Sequence, residues 1–201
     1  KEYQEAYKDK LTGDEAKRYY AYASQYNRRL ATLKANDVGD ATNDAGADVV
    51  DLGLSSTPMV YFGTARYGFK ASVQITASHN PREYNGMKVS RENALPVGLD
   101  SGLGQIQQWI SEGRPTPVAE QRGKVIPMDI HDEYVTFLRG YLSDLSGIRV
   151  AFDLSNGMSC LFAREIFGDS HSYIFDEIDG TFPNHEPNPL IHKNVEPLEA
   201  L

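Results

Sequence analysis

Residues 70–90, KASVQITASHNPREYNGMKVS, place a polar turn between two strand-like segments. The residues at 70–76 and the GMKVSRE stretch at 86–92 are each typical of a β-strand. An Asn-Pro step turns the chain sharply between them. Ser78 therefore follows directly after a strand, where a side chain is both exposed and firmly held. Active-site groups are often found at such positions.

The residue types on this hairpin suit phosphoryl transfer. If the hairpin folds about Glu83, Ser78 pairs with Lys88, and a lysine ammonium lies beside the serine oxygen. Such a lysine can hold a phosphoryl group by charge, or move a proton if its pKa is lowered. His79 adds a second candidate proton donor. In phosphoryl transfer, positioning and charge neutralisation provide most of the catalysis.

An ordinary turn remains the alternative, because serine, histidine and asparagine are common turn residues. A hydrolase triad is disfavoured, because no G-x-S-x-G pattern surrounds Ser78.

Outward from the hairpin, periodicity and capping signals predict alternating strands and helices. Gly46 is predicted to end a helix, and Pro58 to begin one. The stretch RPTPVAEQRGKVIP at 114–127 is interpreted as a linker, and DGTFPNHEPNPL at 179–190 as an irregular loop. The remaining strands are predicted at 47–53 and 148–152. The helices are predicted at 13–26, 31–45, 101–111, 130–142 and 160–167.

A strand–turn–helix pattern restarts at Ile148, after the break around Ser146. We therefore predict one domain over residues 1–145 and part of a second over 146–201. The predicted fold class is α/β: a mixed sheet flanked by helices, followed by the start of a second domain of the same kind.

The bulk composition narrows the function classes. The chain has 201 residues, is 40% hydrophobic and 24% charged, and carries a formal net charge of −8. It is typical of a globular protein and is not a general nucleic-acid binder. With no apolar run long enough to cross a bilayer and no leader-like start, we expect no membrane association. Cys160 is the one cysteine, expected to be a buried, inert thiol, and the cytoplasm is the expected location.

The segment ITASHNPREYNGMK at 75–88 resembles the active-site loop of the α-D-phosphohexomutases, and its YNGMK ending is most similar to the phosphomannomutase/phosphoglucomutase type. The resemblance covers nearly the whole chain, from about Lys10 to Leu190. Three further segments resemble the same family in the same order: AGADVVDLGLSSTPMVYF, ALPVGLDSGL and DGTFPNHEPNPL.

The resemblance implies a role for each residue of the loop. Ser78 would carry the phosphoryl group, and its phosphate would be one ligand of a Mg²⁺ ion. Lys88 would match the family's active-site lysine, a candidate general acid or base, while His79 and Asn80 would shape the loop.

The implied reaction interconverts hexose 6-phosphate and hexose 1-phosphate, of mannose or glucose, through a bisphosphorylated sugar. Glucose 1,6-bisphosphate or an equivalent would be the activator. The expected partner is a small hexose phosphate, with no nucleic acid and no membrane, and the oligomeric state stays open.

The sequence also departs from the family. The aspartate run D-G-D-x-D-R, which holds the family's metal, does not occur. The nearest acidic cluster, FDEIDG with Asp176, Glu177 and Asp179, is interpreted as strand-end and turn carboxylates. The sugar-recognition loop and the second phosphate-binding loop have no counterpart, and the segment at 27–32 matches only the end of an expected strand. We therefore expect the chain alone to be inactive.

Two alternatives stay open. One is a phosphoglucosamine mutase, and the other is a non-catalytic fragment or binding module with the family fold.

Overall fold

The computed structural model describes residues 35–80 and 84–201, which contain helices and short strands in alternation. The helices are α1 (35–44), α2 (Thr57–Arg66), α3 (Leu103–Ser111), α4 (His131–Arg139), α5 (Ala163–Phe167) and α6 (His192–Glu199). The strands are β1 (Val49–Asp51), β2 (Ala71–Ile75), β3 (Met87–Arg91), β4 (Leu95–Pro96), β5 (Val125–Pro127), β6 (Ala151–Asp153) and β7 (Ser172–Ile174). The predicted helix at 13–26 and the segment at 27–32 lie outside the described residues.

Helix α1 ends as predicted at Gly46, whose φ of 88° is a left-handed conformation that favours glycine. A Cβ at this position would also come within 2.8 Å of the Ala119 Cβ. The Arg122 guanidinium binds Asp40 and Asp44 of the helix at 2.7 and 2.6 Å. The segment around Ala119 and Arg122 is therefore packed against the end of α1.

The predicted linker at 114–127 contains strand β5, so that part of the prediction is wrong. Val125 to Pro127 run parallel to β1, with Val49 opposite Val125 and Asp51 opposite Pro127. Because proline lacks an N–H group, Pro127 is tolerated only at an edge or end of a strand. The linker prediction was based on the breakers Pro115, Pro117 and Gly123, which precede the strand and concealed it.

Helix α2 begins as predicted. The Ser56 hydroxyl accepts a hydrogen bond from the Met59 amide at 3.3 Å, and Pro58 lies in the first turn, where a missing N–H group costs nothing. The helix contacts strand β2 and the 3₁₀ turn at Glu92–Ala94. It therefore connects β1 to the hairpin that carries the candidate site.

Strands β2, β3 and β4 form an antiparallel sheet in that order. Ser72 lies opposite Ser90, and their hydroxyl oxygens are 2.7 Å apart. Ser90 is buried, so the paired hydroxyl satisfies a polar group that burial would otherwise penalise.

The core joins the first part of the chain to the second. Met59, Ile130 and Tyr134 are buried together, and Phe162 packs against them with its ring 5.5 Å from that of Tyr134. Gly63 permits this packing, because a Cβ there would lie 3.0 Å from the Ile130 side chain.

The second part of the chain contains a parallel pair, β6 and β7, with Ala151 opposite Ser172. Strand β7 and helix α6 were not predicted. The segment at 179–190 is irregular, as predicted. It is held by His185, whose Nδ1 lies 2.8 Å from the Glu186 carbonyl oxygen and whose Nε2 lies 2.9 Å from the Asp153 carboxylate.

The α/β class is confirmed, but the single mixed sheet is not what the described residues form. The parallel pair of β1 and β5 and the antiparallel β2–β4 are separate sheets. Each of these strands has two to five residues. Each pairs with the strand that a turn or a crossover connection places beside it. The predicted boundary at 145–146 falls in the loop between α4 and β6 and stays a prediction. No helix among the described residues is long and apolar enough to cross a membrane.

Replacing Ile130 by alanine should destabilise the fold strongly. Ile130 is 2% exposed and lies at the centre of the core, so the change leaves a cavity costing about 2–5 kcal/mol. Ile110 on α3 is 74% exposed, and Ile110→Ala should change stability by about 0.5 kcal/mol or less. Urea unfolding followed by circular dichroism measures both, and equal losses would contradict the assigned core.

Candidate active site

The hairpin ladder continues one residue beyond β2. The Thr76 amide donates to the Gly86 carbonyl at 2.9 Å. A Cβ on Gly86 would lie 3.2 Å from the Thr76 oxygen, which is tighter than most real contacts. Glycine at position 86 therefore permits the close approach that ends the paired part of the hairpin.

Ser78 occupies a tight turn just past this point. The turn at 77–80 is closed by the Asn80 amide, which donates to the Ala77 carbonyl at 3.1 Å, and by the Asn80 side-chain amide, which donates to the same oxygen at 2.8 Å. Ser78 has a φ of 58°, a left-handed conformation that is uncommon for a residue other than glycine. Such conformations concentrate at functional sites. Asn80 thus closes the turn, as its predicted role in shaping the loop requires.

His79 lies close to the serine oxygen. The Ser78 Oγ and the His79 Nδ1 are 3.3 Å apart, and both residues are exposed. A neutral imidazole can accept the hydroxyl proton at this nitrogen, whereas an imidazolium can donate to the oxygen. The structure therefore brings together two of the predicted site residues at hydrogen-bonding distance.

Lys88 does not pair with Ser78, so the predicted register of the hairpin is wrong. Lys88 lies opposite Gln74, and Ile75 lies opposite Met87. Ser78 is four residues beyond Gln74 and lies in the turn, outside the paired part of the hairpin. More residues are therefore unpaired after β2 than a hairpin folded about Glu83 would leave.

The physical reason is that strand alternation could not distinguish the two registers. A shift by an even number of residues leaves every side chain on the same face of the sheet. The observed register is fixed instead by local contacts: the approach of Thr76 to Gly86 and the hydroxyl pair of Ser72 and Ser90.

The acidic cluster at 176–179 is engaged in local structure. Arg164 binds the Asp176 carboxylate, and the Asp179 carboxylate accepts from the Thr181 amide at 2.8 Å. The hydrogen bond from Arg164 lowers the pKa of Asp176. No group of three or more histidine, cysteine or acidic side chains within 35–80 and 84–201 is arranged to hold a metal ion.

Cys160 is half-buried instead of fully buried as expected. Burial raises the pKa of its thiol, and the nearby Asp176 carboxylate adds to the effect. Since the thiolate is the nucleophilic form, this environment disfavours reactivity.

Thr76 was missed as a residue of the site. Its hydroxyl accepts a hydrogen bond from the Ser78 amide at 3.0 Å. A threonine two residues before the serine is a known turn signal, which makes the contact recognisable from the spacing T-x-S.

Breaking the contact of Arg164 with Asp176 should return the Asp176 pKa to its ordinary range, near 3.8. A lowered carboxyl pKa adds stability above the unfolded value and loses that contribution as the pH falls through the folded value. Arg164→Gln should therefore reduce stability near neutral pH and weaken the acid sensitivity.

Carboxyl ¹³C NMR titration measures the change directly. Asp144 is the internal control, because its pKa is lowered by Ser146 and not by an arginine. An unchanged Asp176 titration in Arg164→Gln would contradict the assigned cause.

Comparison with known proteins shows which family the chain resembles. The sequence model described as "Phosphoglucomutase/phosphomannomutase, alpha/beta/alpha domain I" matches residues 27–114. The chain is 39% identical to a phosphomannomutase of Salmonella typhimurium over 159 residues, covering 74% of this chain and 35% of that protein. It is 34% identical to a phosphoglucomutase of Neisseria meningitidis serogroup B, covering 78% of this chain and 34% of that protein.

A crystal structure shows the same likeness in three dimensions. The phosphoglucomutase/phosphomannomutase family protein of Burkholderia thailandensis superposes with a TM-score of 0.71 at 28% identity, covering 83% of this chain and 38% of that one. The chain thus spans little more than a third of the length of the relatives it matches. On these findings together, the chain belongs to the phosphoglucomutase/phosphomannomutase family.

Proposed function

We propose that this chain carries the phosphoserine loop of a hexose phosphate mutase, with Ser78 as the phosphoryl carrier. The reaction interconverts the 6-phosphate and 1-phosphate of mannose or glucose. The observation that carries the proposal is the turn at 77–80: it exposes Ser78 in a left-handed conformation and sets the His79 imidazole 3.3 Å from the serine oxygen. Relatives named phosphomannomutase and phosphoglucomutase support the choice of sugars.

The chemistry has two halves. In the first, a sugar hydroxyl oxygen bonds to the phosphorus on Ser78 and its proton passes to a base, while the bond from phosphorus to Ser78 Oγ breaks and Oγ takes a proton. In the second, Ser78 Oγ gives up that proton and bonds to the phosphorus at the other end of the bisphosphorylated sugar, while the bond from this phosphorus to the sugar oxygen breaks and the sugar oxygen takes a proton. A hexose bisphosphate such as glucose 1,6-bisphosphate can enter at this point, which is why it serves as an activator.

His79 lies within hydrogen-bonding distance of Ser78 Oγ and can move a proton to or from it. In its neutral form, Nδ1 accepts the serine proton as the oxygen attacks phosphorus. Shaping of the loop, by contrast, belongs to Asn80, which closes the turn through two hydrogen bonds to Ala77.

Lys88 keeps its proposed role as the active-site lysine, but not through contact with the serine oxygen. It is exposed and lies opposite Gln74, further along the hairpin than the turn. From this place its ammonium group would act on the bound sugar phosphate as a charge or as a general acid or base.

The described residues do not form a magnesium site by themselves. Mg²⁺ takes about six oxygen ligands in octahedral geometry. Within the described residues, the groups hydrogen-bonded to Ser78 are the Thr76 hydroxyl and the His79 imidazole, and neither is a carboxylate. A phosphate on Ser78 would be the ligand that this loop offers to the ion, and Mg²⁺ would supply charge neutralisation when bound.

The remaining elements of the proposal follow from the substrate class. The partner is a small, water-soluble hexose phosphate, for which we propose a cytoplasmic location. The formal net charge of −8 does not oppose binding of such an anion, because the local charge at the site decides.

Phosphate should be found on Ser78 in the protein purified from its native cells. Tryptic mass spectrometry locates the group, and the Ser78→Ala variant produced in the same cells is the control that should carry none. Phosphate confined to other serines, or its absence from Ser78 in the active protein, would contradict the proposal.

The 201-residue chain alone should show turnover many orders of magnitude below the usual scale of about 10 per second. The sequence offers neither a second phosphate cradle nor an aspartate run, so the sugar is not positioned, and positioning alone is worth roughly 10⁵ M in effective concentration. A coupled assay on mannose 1-phosphate with glucose 1,6-bisphosphate measures turnover. Titration calorimetry with Mg²⁺ should show only weak binding. Normal turnover or tight Mg²⁺ binding by the chain would overturn this expectation.

A further inference from the structure

Thr76 links the reactive turn to the sheet. Its backbone amide donates to the Gly86 carbonyl at 2.9 Å, which makes it the last residue of β2's ladder with β3. Its side-chain oxygen accepts from the Ser78 amide at 3.0 Å. Because the residue is half-buried and paired through its backbone, the hydroxyl has a fixed position relative to the sheet.

The backbone of Ser78 needs such a restraint. With a φ of 58°, it has a conformation that residues other than glycine leave unless the surroundings hold them there. The two hydrogen bonds from Asn80 close the turn on Ala77 and do not involve Ser78. In the described part of the chain, the acceptor found for the Ser78 amide is the Thr76 hydroxyl.

We propose that Thr76 is the positioning residue for phosphoryl transfer at Ser78, an inference that rests on the proposed function. Its hydroxyl holds the Ser78 backbone so that Oγ stays beside His79 Nδ1, 3.3 Å away. The contact is made to the amide and not to Oγ, so it is compatible with both the free and the phosphorylated serine. The oxygen therefore returns to the same place after each half of the reaction, as in-line transfer requires.

The test compares three substitutions at Thr76. Thr76→Val keeps the shape and removes the acceptor, Thr76→Ala removes the acceptor with no added bulk, and Thr76→Ser keeps the hydroxyl. Ser111→Ala is the control, because it removes an exposed hydroxyl on α3 that donates to the Gln107 carbonyl and has no contact with Ser78. Circular dichroism shows which variants fold.

Hydrogen exchange of the Ser78 amide, followed by NMR on the ¹⁵N-labelled chain, is the first readout. Thr76→Val and Thr76→Ala should accelerate exchange by about tenfold, as expected for loss of one hydrogen bond. Thr76→Ser and Ser111→Ala should leave it within about twofold of the original chain. Equal exchange in the valine and serine variants overturns the inference.

The second readout is the mutase reaction, measured in the full-length protein from its native cells because the 201-residue chain alone is expected to be inactive. Thr76→Val should lower kcat with little change in KM, and Thr76→Ser should restore it. If Ser78 is phosphorylated and Thr76→Val turns over normally, the inference fails while the proposed function stands. If Ser78 carries no phosphate in the active original protein, the proposed function fails and this inference with it.

Discussion

The site depends on one backbone contact, the hydrogen bond from the Thr76 amide to the Gly86 carbonyl at 2.9 Å. It marks the last paired position of the hairpin, and a side chain at residue 86 would press against the Thr76 oxygen. The contact fixes where pairing stops, and thereby where the chain is free to turn. The exposed position of Ser78 in the turn follows from that end point.

The hairpin in turn is held by α2. This helix contacts β2 and the 3₁₀ turn after β3, and its inner face supplies Met59 to the core with Ile130 and Tyr134. The buried core is therefore connected to the hairpin by helix α2. A reactive turn carried by a packed sheet is more precisely positioned than one at the tip of a long loop.

Much of this arrangement is predictable from the sequence, because local signals determine it. The turn after β2, the Gly46 helix end and the Pro58 helix start each depend on residues that lie within a few positions of one another. The position of Ser78 at the end of a strand is of this kind. Strand β5 was not predictable in the same way, since its pairing with β1 is long-range and the breakers Pro115, Pro117 and Gly123 precede it.

The residue opposite Lys88 in the hairpin could not be predicted for a second reason. Two registers that differ by four residues give the same alternation of exposed and half-buried side chains. The contacts that decide between them are the close approach of Gly86 to the Thr76 oxygen and the hydrogen bond between the Ser72 and Ser90 hydroxyls. The hydrogen bond from the Ser78 amide to the Thr76 hydroxyl differs, because the spacing T-x-S signals it. The residue types of the candidate site could be predicted, whereas their geometry required the structure.

The central claim is that Ser78 gives its phosphate to a sugar. Protein purified from its native cells, with ³²P-labelled phosphate on Ser78, can be mixed with unlabelled mannose 1-phosphate or glucose 1-phosphate. Because Ser78 takes back the other phosphate of the bisphosphorylated sugar, the account predicts that the label passes into the hexose phosphates while Ser78 stays phosphorylated. Label that remains on Ser78, or that leaves only as inorganic phosphate, would contradict it.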